Sequence, residues 1–79
     1  EQGEWGKAID QHCKALDLNP DDYMAHYNLA RGYDALKDGS KAIGHLRKAE
    51  SIANEENDEK GKNESKSLLV VLLQKYKHR

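Results

Sequence analysis

Phenylalanine is absent from this 79-residue chain, and proline, cysteine, methionine and tryptophan occur once each. The lone Cys13 excludes an internal disulfide and leaves the redox compartment open. With Pro20 as the one proline and few β-branched residues, little opposes helix, and Ala, Leu, Lys, Glu and Asp favour it. Charge of one sign is also lacking. Thirteen basic and 14 acidic side chains give a formal charge of −1, so no strong field draws the chain to nucleic acid or to an anionic membrane. The longest apolar run, Leu68 to Leu73, is six residues, far short of the ~20 that span a bilayer, and membrane insertion is not expected. No glycine-rich phosphate loop occurs, because the six glycines are isolated. The chain starts without Met and shows no signal peptide. It reads as a domain excised from a longer protein, its compartment unknown and the cytoplasm favoured.

Apolar residues are present in a pattern. "KAIDQHCKA" (Lys7 to Ala15) and "KAIGHLRKA" (Lys41 to Ala49) share five identities in nine positions at a fixed offset of 34. Within the first, Ala8, Ile9, His12, Ala15 and Leu16 fall on one helical face, which predicts a helix from about Glu4 to Leu18. Asn19-Pro20 stops it, since proline cannot continue the hydrogen-bond ladder. Asp21 or Asp22 can cap a second helix, which carries Ala25, Leu29, Ala30, Tyr33 and Leu36 and ends near Lys37. Asp38-Gly39 signals a turn, and a third helix follows over about Ser40 to Ala53. The polar stretch Asn54 to Lys66 reads as a long connection, with Asn63 or Ser65 as a cap. A fourth helix then runs to about Lys77, with Leu68, Leu69, Leu72, Leu73 and Tyr76 on one arc and Val70 pointing away. The expectation is an all-α protein of about four antiparallel helices.

A period of 34 made from two helices resembles the tetratricopeptide repeat, whose helices read W-x2-L-G-x2-Y, then A-x3-F, then Pro. Residues 21–54 look like a complete repeat. Leu29, Ala30 and Tyr33 match the first helix, and Ala42, Leu46 and Ala49 the second, with His26 in place of Trp and Asn54 in place of the closing Pro. Residues 1–20 resemble the second helix of a partial repeat, with Gly3, Ala8, His12, Ala15 and Pro20 in register. Residues 55–79 would be a loop and a degenerate or C-terminal capping helix, which keeps none of the Gly or Tyr landmarks. The resemblance implies a fragment of an α-solenoid, one domain over 1–79, in which small residues mark helix crossings. Terminal units of such arrays are atypical because they stack on one side only.

Chemistry-bearing residues do not assemble into a catalytic set. His12 and Cys13 are adjacent on a helix and point about 100° apart, and no two histidines stand at i, i+4, so neither a nucleophile pair nor a metal site is expected. "ENDEKGKNE" lacks the alternating ligands of a calcium loop. The reading is therefore no enzyme, no cofactor and no metal. The basic tail of Lys75, Lys77, His78 and Arg79 reads as a solvated helix end. The family's ligand surface is the concave face of the first helix of each repeat. Mapped here, the resemblance implies a binding stripe of Met24, Tyr27, Arg31 and Asp34, with Asn28 beside them, contacting a protein or peptide. A plain solvated face that also packs a neighbouring helix weighs about equally. Asn28 matches the Asn of the repeats that clamp chaperone tails by their carboxylate, but the flanking Lys and Arg of that clamp are missing. The apolar fourth helix offers Leu68, Leu69, Leu72 and Leu73 as an alternative interface, with pairing of chains into a homo-oligomer as the rival function.

Overall fold

The computed structural model describes residues 2–77 as four α-helices, α1 (Gln2–Leu18), α2 (Tyr23–Ala35), α3 (Gly39–Glu55) and α4 (Glu59–Lys75), with no strand among the described residues. His78 and Arg79 of the basic tail lie outside the described residues. Each helix packs chiefly on its neighbours in sequence, α1 on α2, α2 on α3 and α3 on α4, while α2 and α4 barely touch.

Three aspartates start three helices. The carboxylates of Asp22, Asp38 and Asp58 accept from the backbone N–H of Ala25, Lys41 and Gly61 at 3.2, 3.2 and 3.0 Å, each satisfying a first-turn donor that the helix leaves open. The last two links are built alike. Lys37 (φ 64°) and Asn57 (φ 58°) adopt the left-handed conformation after the helix end. The following N–H groups, of Asp38 and Asp58, reach back to the carbonyls of Tyr33 and Ala53 at 2.8 Å. This is the reversal that closes many helix C-termini, usually on glycine; here Lys37 and Asn57 carry it.

The second of these links overturns the expected long connection over Asn54–Lys66. Only Glu56, Asn57 and Asp58 separate α3 from α4, and α4 is as long as α1 and α3. The cap is Asp58, not Asn63 or Ser65. The first two turns of α4 are polar because only Gly61 and Ser65 face inward there. Gly61 gives room to the Tyr23 ring and the Asp58 carboxylate, and the buried Ser65 hydroxyl donates to the Gly61 carbonyl at 2.9 Å. An inward face of small residues leaves no apolar periodicity to read.

The core gathers Ala30, Ala42, Leu46, Leu69 and Leu72, flanked by Tyr27, Tyr33, Ile43, Leu68 and Tyr76. Ala42 and Ala49 have no exposed surface, as expected of residues at helix crossings.

Candidate functional site: a groove between α2 and α4

Because α2 and α4 both lean on α3 and barely touch each other, a groove opens between them. Its volume is about 660 Å3. Tyr27 and Arg31 line it from α2, and Asn63, Glu64, Ser67, Leu68 and Val71 from α4. The spacing follows from helix geometry: residues 27 and 31 on α2, and 64, 68 and 71 on α4, each recur on one helical face.

One end of the groove is pinned by Tyr23. Its hydroxyl donates to the Gly61 carbonyl at 2.9 Å, and its ring stacks on Tyr27 with centroids 5.8 Å apart. Burial, with the negative Glu64 nearby, raises the Tyr23 phenol above its ordinary value, so it stays a neutral donor. Tyr27 is thereby held half-buried with one part of its ring toward the groove. Arg31 is exposed and forms no ion pair among the described residues.

The expected binding stripe divides. Tyr27 and Arg31 share the groove. Met24 is exposed and lines an adjoining hollow with Tyr23, Asp58, Lys60 and Glu64. Asn28 is half-buried and is not among the groove-lining residues. Asp34 is engaged by the chain's own C-terminal segment. Its carboxylate accepts from Lys75 Nζ at 2.9 Å and from the Tyr76 hydroxyl at 2.6 Å. Burial pushes the Asp34 carboxyl up, but the hydrogen bonds from Tyr76 and Lys75 and the Lys75 charge outweigh it and hold it below the ordinary 3.8. The same bond to Asp34, then burial, pushes the Tyr76 phenol up to about 12. The Tyr76 ring lies over Gly39, in the place a side chain would take.

The alternative interface on α4 divides as well. Leu69 and Leu72 are buried in the core and Leu68 belongs to the groove. Leu73 is 40% exposed, and beside it Val70 and Val71 are exposed at 57% and 56%.

A pair of histidines from two helices meets without any local signal. His26 on α2 and His45 on α3 place their Nδ1 atoms 3.1 Å apart. They are 19 residues apart, so no local spacing announces them. Among the described residues, no three His, Cys, Asp or Glu side chains converge as a metal site would require. No protein-family model matches the chain, and no solved structure matches it.

Proposed function

We propose that the chain is a protein–protein interaction module of the tetratricopeptide type that holds a peptide or protein segment in the groove between α2 and α4. The observation that carries this reading is the pairing of Tyr27 and Arg31 at one groove. Tyr27, Leu68 and Val71 supply apolar area, and Arg31 offers a planar fork of donors to a carboxylate or a backbone carbonyl. Tyr27 is already ordered by Tyr23, so binding need not immobilise it. The residue pattern of Leu29, Ala30, Tyr33, Ala42, Leu46 and Ala49, which resembles that family, supports the same reading.

Tyr27→Ala and Arg31→Ala test it. Each is expected to weaken binding of a captured partner by about 1–2 kcal/mol in titration calorimetry, the range of a contributing contact short of a dominant hot spot. Arg31→Ala should leave the melting temperature nearly unchanged, because Arg31 lies outside the core. Normal binding by both variants would remove the groove from consideration.

The exposed Val70 and Leu73 favour a second reading, self-association through the outer face of α4. Analytical sedimentation discriminates the two. A monomer that gains a partner supports the groove, whereas a dimer abolished by Val70→Lys supports pairing of chains.

A further inference from the structure

The His26–His45 contact crosses from α2 to α3, and a third element is tied into it. His26 Nε2 lies 2.9 Å from the carbonyl oxygen of Pro20, in the link between α1 and α2. A carbonyl only accepts, so His26 Nε2 carries a hydrogen. In the neutral pair His26 Nδ1 is then an acceptor, and His45 Nδ1 must donate to it across the 3.1 Å contact. That arrangement leaves His45 Nε2 as the open position.

One proton fits this arrangement. On His45 Nε2 it makes an imidazolium whose Nδ1–H still donates to His26. A second proton does not fit, because both Nδ1 atoms would carry hydrogens and positive charge at 3.1 Å.

The surroundings offer no compensation. Tyr33 on α2 stacks on His45 with centroids 5.7 Å apart and an 8° tilt, and its neutral ring brings no anion. On α3, Lys41 sits over the Tyr33 ring at 5.4 Å, and Lys41 and Lys48 line the cavity that opens beside the pair. From the α1 side the cavity is lined by Leu16 and Pro20, which carry no charge, and α4 contributes none of its lining residues. Two acids stand in the link before α2, and both face other partners: Asp21 is 3.9 Å from Lys48, and the Asp22 carboxylate accepts from the Ala25 N–H at 3.2 Å. Burial, then the His26 and Lys41 charges, lower His45 below its ordinary 6.5.

We propose that His26 and His45 form a proton-limited clasp that accepts one proton but not two, and that acidification opens it, releasing the Pro20 link from α3. Since α1 packs chiefly on α2, opening removes a restraint that joins the start of the chain to its third helix. In the unfolded chain both imidazoles titrate near 6.5. Below that pH the unfolded state binds about one proton more than the closed state, so stability falls as pH falls. For the excluded second proton alone the folded-to-unfolded ratio should drop about thirtyfold between pH 7.5 and 5.0, and the lowered His45 adds to that loss.

Urea unfolding of the whole chain at those two pH values, with a chelator present, reads this directly. His45→Asn is the informative variant, because its amide can donate to or accept from His26 Nδ1 in either protonation state. Wild type is expected to lose about thirtyfold or more and His45→Asn about threefold or less. Equal losses in the two proteins, or none in wild type, overturn the proposal. Should His45→Asn fail to fold, nitrogen NMR of the wild-type imidazoles decides. The clasp requires His26 as the Nε2–H form, His45 as the Nδ1–H form, and uptake of one proton by the folded pair. Uptake of two protons with the His26–His45 contact still closed refutes it.

Discussion

Helices α1 and α3 carry the same words and live in different surroundings. Ala42, Leu46 and Ala49 of α3 have no exposed surface, because α2 lies on one side and α4 on the other. Their counterparts 34 residues earlier, Ala8, His12 and Ala15 of α1, are only half-buried. The contrast is widest at the ends: Ile52 is 2% exposed and Leu18 is 90% exposed. Where both helices meet the next one in sequence they agree better, Ile9 being buried and Ile43 half-buried. A shared motif therefore does not fix burial; the number of helices packed against it does. The same alanine spacing is a crossing point in α3 and a half-open surface in α1.

Paired substitutions can break or sharpen that contrast. The largest difference is expected at the helix ends. Ile52→Ala should destabilise by about 2–5 kcal/mol and Leu18→Ala by no more than about 0.5 kcal/mol in urea melts. Equal effects would show that α1 is covered in solution by something beyond α2. Next comes overpacking. Ala49→Leu, with no exposed surface, should cost about 1–3 kcal/mol, while Ala15→Leu, at a half-buried position, should be close to neutral. A smaller effect concerns the first turn of α3, where the Tyr76 ring lies over Gly39. Tyr76→Phe removes the bond to Asp34 and should cost about 1 kcal/mol.

It should also change the acid response. The Asp34 carboxyl is held below 3.8, so its contribution is present above that pH and is lost as pH falls through the folded value. Tyr76→Phe should shrink that acid-limb loss in a pH series of melts, and an unchanged limb would assign it to other carboxyls. This window lies below the one in which the histidine pair titrates, so the two effects separate.

Much of the fold was legible, for local reasons. Alanine and leucine spacing marked α1, α2 and α3, and Pro20 and the capping aspartates punctuated the first two links. The α3–α4 link is hidden because the polar first turns of α4 have the composition of a loop. Asn57-Asp58 in fact repeats the chemistry of Lys37-Asp38, a left-handed residue followed by an aspartate cap, and that was the available signal. Tyr27 and Arg31 were readable as neighbours on one helix, but their α4 partners depend on how two non-adjacent helices sit. The helical stripe alone leaves Asp34 open to a ligand. Nothing local in the sequence says that Lys75 and Tyr76, 41 and 42 residues on, would hold it. The histidine pair is invisible for the same reason.

The order of packing, each helix resting on the one before and after it, has a kinetic consequence. Most contacts close short loops of chain, so little search entropy is lost before each is made. Folding is expected in the microsecond-to-millisecond range of helical proteins with local topology, with one helix hairpin able to form before the next is synthesised. Opening should run the other way, inward from the ends. Amide exchange would then be fastest in α1, which has one helical neighbour, and slowest in α3, which two helices and the Tyr76 ring hold from three sides.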